Sequence, residues 1–146
     1  MIIISPYAQK LRSGKENPKN YPYWEKLIEE ISKTEHIIQV GIEGEKQLVP
    51  DFRKGLSITE LRALLRECRT WISCDSFFQH LAWDEGKQGI VLWSVSDPLI
   101  FGHPENVNLL KSRDYLAHNQ FLWWEWVEHK NEAFVQPEIV INSLSL

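Results

Sequence analysis

Three short apolar segments of this sequence are each followed by charged or hydroxyl side chains that could bind an anion. Lys15 and Lys19 follow the first segment, Glu45 follows the second, and Asp75 with Ser76 follows the third. Lysine side chains and the free N–H groups at a helix N-terminus both attract negative charge. A carboxylate at a strand end can accept hydrogen bonds from ribose hydroxyl groups, as it does in dinucleotide folds. This set predicts a site for a diphosphate that carries hydroxyl groups.

The apolar segments are typical of buried strands, and helical segments alternate with them. Strands are predicted at residues 2–4, 36–40, 71–74 and 89–95, and helices after Pro22 and at residues 58–69, 77–85 and 119–129. Ser57 and Glu60 form a capping box at the start of the helix at 58–69. This alternation predicts an α/β fold class, a single Rossmann-like domain with a doubly wound, mainly parallel sheet and helices on both faces. We expect one domain over residues 1–146, in which residues 110–146 form a C-terminal helical extension.

This fold class explains why the polar residues should meet. In open α/β sheets, ligands bind beyond the carboxyl ends of the strands. The polar residues named above all follow such ends, so we expect them to form one ligand site.

The composition argues against several classes of protein. Hydrophobic residues make up 43% of the 146 residues and charged residues 25%, which is ordinary for a globular domain. The formal net charge of −4 argues against nucleic acid as a partner. No segment approaches the roughly 18 apolar residues of a membrane span, and the apolar start Met1 to Ile4 indicates a strand rather than a signal peptide. Cys68 and Cys74 lie in apolar surroundings without metal-like CxxC spacing, so we expect reduced thiols and a cytoplasmic location. No metal is expected either, because metal-like spacings of cysteine and histidine and a DxD motif are absent.

The segment from Asp75 to Ala82, with the sequence DSFFQHLA, resembles the Asp-Ser/Thr-Gly-x-x-His-x-Ala signature of family 9 glycosyltransferases, the heptosyltransferase type. Three further segments are similar to that family in the same order along the chain. They are Lys19 to Pro22 (Lys-x-aromatic-Pro), Gly41 to Glu45 (a glycine-rich turn ending in Glu) and Ile90 to Pro98 (a strand followed by Asp-Pro). The resemblance extends from about residue 2 to about residue 110.

The resemblance implies the nucleotide-sugar-binding, C-terminal half of a two-lobed GT-B enzyme. It implies that Lys19 contacts the donor phosphates, that Glu45 contacts the ribose and that Asp75 contacts a sugar hydroxyl. Ser76 would bind the diphosphate together with the helix N-terminus. The expected donor substrate is a nucleoside-diphosphate sugar, with an ADP-sugar as the first choice, and no separate cofactor is expected. The acceptor lobe and the proposed base of such enzymes have no counterpart in this sequence, so the resemblance leaves catalysis by these residues alone open.

Two positions of the signature have particular consequences. Phe77 stands where the family has a glycine, so the phosphate pocket would be narrower or would offer an aromatic ring for stacking. His80, one helical turn further on, would support the Asp75 loop from behind through a hydrogen bond.

Simpler interpretations accompany these assignments. Asp75 could merely cap a helix, without any contact to a ligand. Lys15 and Lys19 could be solvated loop residues. Glu43 is an alternative to Glu45 as the residue that contacts the ribose. The function could accordingly be that of a transferase donor domain, a non-catalytic nucleotide-binding module that senses or sequesters its ligand, or an interaction scaffold.

A cluster of tryptophans lies near the C-terminal end. Trp123, Trp124 and Trp126 would surround much of the helix predicted at residues 119–129, and one buried face cannot absorb all three rings. We therefore expect this helix to contact a second copy of the chain or a separate acceptor-domain chain.

Overall fold

The structure is a computed structural model that describes residues 1–144. The strands within this part of the chain are β1 (Ile2–Ser5), β2 (Ile37–Gly41), β3 (Phe52–Lys54), β4 (Thr70–Cys74), β5 (Ile90–Leu92) and β6 (Val107–Leu109). The α-helices are α1 (Trp24–Ile31), α2 (Ile58–Glu67), α3 (Phe77–Asp84), α4 (Pro98–Phe101) and α5 (Pro137–Ser143). Short 3-10 helices lie at Arg113–Tyr115, Trp124–Trp126 and Asn131–Ala133.

The six strands form one parallel sheet in the order β3-β2-β1-β4-β5-β6. This is the strand order of Rossmann-type folds. β1 and β4 are neighbours at the centre of the sheet. After β1 the chain continues to β2 and β3 on one side, and after β4 it continues to β5 and β6 on the other side. The predicted α/β fold class is therefore confirmed, and the order of strands reverses between β1 and β4.

Alternation along the strands divides the core between the two faces of the sheet. Ile2 and Ile4 pack with Leu27 of α1 on one face, whereas Ile3 packs with Leu65 of α2 and with α3 on the other. Successive strand side chains point to opposite faces, so a strand that is covered on both sides must be apolar throughout. The apolar run at residues 2–4 was correctly assigned to a buried strand for this reason.

The capping signal at the start of α2 is also confirmed. The Ser57 hydroxyl accepts a hydrogen bond from the Glu60 backbone N–H at 3.1 Å, and the Glu60 carboxylate accepts one from the Ser57 N–H at 3.2 Å. Two N–H groups that a helix start leaves unpaired are thereby satisfied.

The prediction of a helix at residues 119–129 is wrong. Only the 3-10 turn Trp124–Trp126 forms there, and the backbone of Trp123 and Val127 on either side is extended. The Gln120 amide donates to the carbonyls of Val95 and Ala117, both at 2.9 Å, and its oxygen accepts from the Asp97 N–H at 2.8 Å. Gln120 thus ties this segment to the loop at residues 95–97, and the tryptophan rings pack against the N-terminal loop as described below.

The remaining differences concern short elements and the end of the chain. The sequence interpretation missed β3 and β6, assigned α4 to a loop, and extended the fourth predicted strand beyond Ile90–Leu92. Strands of three residues are too short to show a periodic pattern. The expected C-terminal helical extension is largely irregular, because α5 and the 3-10 turns are its only helical parts within residues 110–144.

The C-terminal segment nevertheless belongs to the core. The Tyr21 hydroxyl donates to the Val135 carbonyl at 2.9 Å, and the buried Phe134 and Val140 cover the α1 face of the sheet. None of the helices formed by residues 1–144 has the length and apolar character needed to cross a membrane.

Candidate functional site

A cleft of about 870 Å³ lies beyond the carboxyl ends of the central strands. Ser5 at the end of β1, Gly41 at the end of β2 and Asp75 just after β4 all line it. The cleft therefore lies where the order of strands reverses, which is the usual ligand position in doubly wound sheets. Its volume falls within the range of about 300–1,000 Å³ that is typical of small-molecule sites.

Lys19 and Asp75 meet inside this cleft. Lys19 Nζ lies 3.0 Å from Asp75 Oδ2, and the two side chains are only 16% and 8% exposed. The other carboxylate oxygen, Oδ1, accepts a hydrogen bond from Gln79 Nε2 at 2.7 Å. Asp75 thus divides its oxygens between a loop cation and a buried amide. It is not the cap of α3, because Ser76 occupies that position.

Buried asparagines give the lysine-bearing loop its shape. Asn20 Oδ1 accepts from the Ala8 N–H at 2.8 Å, and Asn17 Nδ2 donates to the Gln9 carbonyl at 2.8 Å. Asn17 Oδ1 also accepts from the Lys19 N–H at 3.0 Å. These bonds satisfy loop backbone groups that no helix or strand would pair, so the position of Lys19 is defined by the loop.

The tryptophan segment, residues 121–126, lies beside this loop. The Lys19 ammonium lies 4.5 Å from the centre of the Trp124 ring, and the Arg12 guanidinium lies 4.9 Å from that of Trp123. Glu125 Oε1 accepts a hydrogen bond from the Arg12 N–H at 2.8 Å. Both tryptophans line the cleft, so the aromatic cluster forms one of its walls. Whether the segment also contacts a second copy stays a prediction.

Glu45 is the carboxylate that the β2 turn presents to the cleft. Its Oε1 accepts a hydrogen bond from the Ile42 N–H at 2.7 Å and lies where a Cβ at Gly41 would collide with it. Burial raises the pKa of Glu45, an effect that the Ile42 hydrogen bond and the nearby Lys10 partly offset. The competing Glu43 is exposed and pairs with Lys54 at 3.4 Å. It does not line the cleft, so the geometry favours Glu45.

Ser76 and Phe77 border the cleft at the N-terminus of α3. The Ser76 hydroxyl is buried and makes no hydrogen bond to a nitrogen or oxygen of the described residues. The Phe77 ring is 60% exposed and therefore accessible to a ligand. Beneath them, burial raises the pKa of the Cys74 thiol to about 12, so this cysteine stays protonated and unreactive.

His80 lines the main cleft but does not support Asp75, and Lys15 lies outside the main cleft. His80 Nδ1 lies 2.8 Å from His103 Nε2, and burial followed by His103 lowers the pKa of His80. The hydrogen bond that supports Asp75 comes from Gln79. Lys15 is exposed and lines a smaller adjoining cavity of about 300 Å³, which shares Lys10 and Glu45 with the main cleft.

The sequence interpretation missed several cleft residues. They are Tyr7, Lys10, Arg12, Arg53, Phe101, Trp123, Trp124 and Glu125. It also missed Gln79, which is fully buried and donates to Asp75. Gln79 had a readable signal, because a glutamine four residues after an aspartate at a helix start can reach back to it. The others had none, since their positions depend on how two loops fold over the sheet.

The charges of the cleft suit an anion that carries hydroxyl groups. Lys10, Arg12 and Lys19 contribute positive charge to the cleft that the α3 N-terminus borders, while Glu45 and Asp75 are acceptors for hydroxyl hydrogens. Within residues 1–144, no group of three or more His, Cys, Asp or Glu side chains could hold a metal ion.

Comparisons with protein-family models, with curated proteins and with solved structures found no match to this chain.

Proposed function

We propose that this chain is the donor-binding domain of a heptosyltransferase-type, family 9 glycosyltransferase and that its strand-end cleft binds a nucleoside-diphosphate sugar. The observation that carries the proposal is the meeting of Lys19 and Asp75 beside the α3 N-terminus, inside a cleft at the point where the strand order reverses. A cation for phosphate and a carboxylate for hydroxyl groups lie side by side there. A diphosphate sugar offers both chemical groups next to each other.

Each proposed role follows from the chemistry of the side chain. Lys19 and the N-terminus of α3 with Ser76 bind the diphosphate, because their charges and N–H groups complement phosphate oxygens. Glu45 accepts hydrogen bonds from the ribose hydroxyls, and Asp75 accepts one from the sugar. Phe77, exposed at the rim, offers a face for stacking.

In the transfer reaction an acceptor oxygen forms the new bond to the anomeric carbon and loses its proton to a base outside this domain. The bond between that carbon and the diphosphate breaks, and negative charge accumulates on the leaving diphosphate. Lys19 and the α3 N-terminus are placed to stabilise that charge.

Calorimetric titration and thermal shift with ADP-, GDP-, UDP- and CDP-sugars test the proposal, with the ADP-sugars first. A ligand at about 100 times its Kd stabilises the native state by about 2.7 kcal/mol. For a chain of this size that corresponds to a rise in Tm of roughly 5–10 °C. Lys19→Ala should abolish the shift.

Lys33→Ala is the matched control, because Lys33 is an exposed lysine just after α1 that, among residues 1–144, forms an ion pair only with Glu30 at the surface. It should retain the shift. The absence of a shift with every nucleotide sugar would refute the proposal and favour an interaction scaffold. Binding without transfer to any acceptor would instead favour a nucleotide-sensing or sequestering module.

A further inference from the structure

The ion pair between Lys19 and Asp75 joins the two groups that the proposed donor site assigns to different parts of its ligand. Lys19 would bind a phosphate and Asp75 a hydroxyl group, yet here they lie 3.0 Å apart and bind each other. A ligand phosphate that draws the Lys19 ammonium away from Asp75 weakens this pair.

Asp75 has few other partners within the described residues. Its side chain is 8% exposed, and besides Lys19 its contact is the hydrogen bond from Gln79 Nε2 to Oδ1. Gln79 is fully buried and donates to Oδ1, and apart from Lys19 no side chain of the described residues donates to Oδ2. Removing one partner of a nearly buried charged pair leaves a poorly solvated charge, which is strongly unfavourable. Binding of phosphate by Lys19 is thus opposed unless the ligand supplies a new donor to Oδ2.

We propose that Asp75 makes the cleft selective for phosphorylated ligands that carry a hydroxyl donor beside the phosphate, and that it disfavours a bare diphosphate. The proposal rests on the proposed function. A nucleotide sugar replaces the lost ion pair with a hydroxyl hydrogen bond to Oδ2. A nucleoside diphosphate that has lost its sugar cannot do so, and re-formation of the pair favours its release.

The first test compares wild type and Asp75→Asn by calorimetric titration with a nucleoside diphosphate and with the corresponding nucleotide sugar. A hydrogen bond to a charged group is worth about tenfold or more in affinity, so wild type should prefer the nucleotide sugar by at least about tenfold. Asparagine retains an oxygen for Gln79 but removes the charge and frees Lys19. The variant should therefore bind the bare diphosphate about tenfold more tightly than wild type and should lose most of the preference for the sugar.

Asp84→Asn is the matched control, because it removes the same charge from the last turn of α3, where Asp84 is 60% exposed and pairs with Arg62. It should leave both affinities unchanged. A merely structural role for Asp75 predicts that Asp75→Asn weakens both ligands alike, and that result would overturn the proposal.

A second measurement uses wild type alone and does not depend on the folding of a variant. Deoxy analogues of the bound nucleotide sugar, each lacking one hydroxyl, should include one whose affinity falls to that of the bare diphosphate. Equal affinities for diphosphate, nucleotide sugar and every analogue would refute this inference and leave donor binding intact. Failure of wild type to bind any of these ligands would refute the proposed function itself.

Discussion

Replacing Gly41 by alanine should destabilise the protein through Glu45. A Cβ at this position would collide with Glu45 Oε1, so the carboxylate would have to leave the Ile42 N–H that it accepts from at 2.7 Å. The Phe52 ring, with Cε1 3.3 Å from the same Cβ, allows little movement in the other direction. The perturbation therefore breaks one specific hydrogen bond.

The size of the effect follows from the loss of that bond. A hydrogen bond to a charged group contributes about 1.5–3 kcal/mol, and partial exposure of Glu45 reduces this to about 1–2 kcal/mol. Substitution of glycine by alanine also lowers the conformational entropy of the unfolded chain, and this stabilisation offsets about 0.4–1 kcal/mol of the loss. We expect the free energy of unfolding of Gly41→Ala to fall by roughly 1 kcal/mol, which lowers Tm by about 2–4 °C.

A double-mutant cycle in urea measures the coupling directly. In a Glu45→Ala background there is no carboxylate to displace, so Gly41→Ala should be neutral or slightly stabilising. The coupling energy between the two positions should be about 1–2 kcal/mol. Additive effects, with a coupling below about 0.3 kcal/mol, would refute the reasoning and show that Glu45 is not held by the β2 turn.

Three further predictions concern the surroundings of the cleft. Gln79→Leu should lower the free energy of unfolding by about 1–3 kcal/mol in urea, because it leaves Asp75 Oδ1 without its buried donor, and a loss below about 0.5 kcal/mol would contradict this. Trp124→Leu should cost about 0.5–1 kcal/mol through the lost cation–π contact, whereas the control Trp126→Leu, at a ring that is 81% exposed, should change stability by less than about 0.5 kcal/mol. Hydrogen bonds from the Arg113 guanidinium hold the pKa of Asp97 below its ordinary value. The ionised carboxylate therefore stabilises the fold above about pH 4, and this stabilisation is lost as the pH falls through the folded-state pKa. Between pH 5 and pH 3 the urea midpoint of Asp97→Asn should consequently fall less than that of wild type, and parallel curves would contradict the assignment.

The residues of the candidate site could be predicted from the sequence because they follow the ends of predicted strands. Lys19, Glu45, Asp75, Ser76 and Phe77 all line the cleft, as the alternation of strands and helices predicted. Parallel strands bring their carboxyl ends to one edge of the sheet, so the residues that follow them share a site regardless of the distance along the chain.

The contacts between those residues could not be predicted from the sequence. The sequence suggested that His80 supports the Asp75 loop, but the support comes from Gln79, and His80 pairs with His103 instead. Both residues lie within reach of Asp75 along the helix, and the choice depends on which side chain is buried. Gln79 is fully buried, whereas His80 is exposed.

The contacts of the tryptophan segment also could not be predicted from the sequence, because they join residues far apart along the chain. Its composition predicted an apolar surface, but not the wall that Trp123 and Trp124 form against Arg12 and Lys19. These partners are more than 100 positions away along the chain, and a local pattern contains no information about such contacts. The prediction of a helix at residues 119–129 was wrong, and Gln120 instead bonds to the backbone of Val95 and Asp97, contacts that a local pattern does not reveal.

The sequence by itself thus determined the fold class and the edge of the sheet that carries the candidate site, since both depend on the order and periodicity of apolar segments. Only the tertiary structure decided that Lys19 pairs with Asp75, that Glu45 rather than Glu43 faces the cleft, and that tryptophans form one of its walls. Those outcomes depend on burial and on the meeting of loops. They arise only once the core has packed and has brought distant side chains within hydrogen-bonding distance.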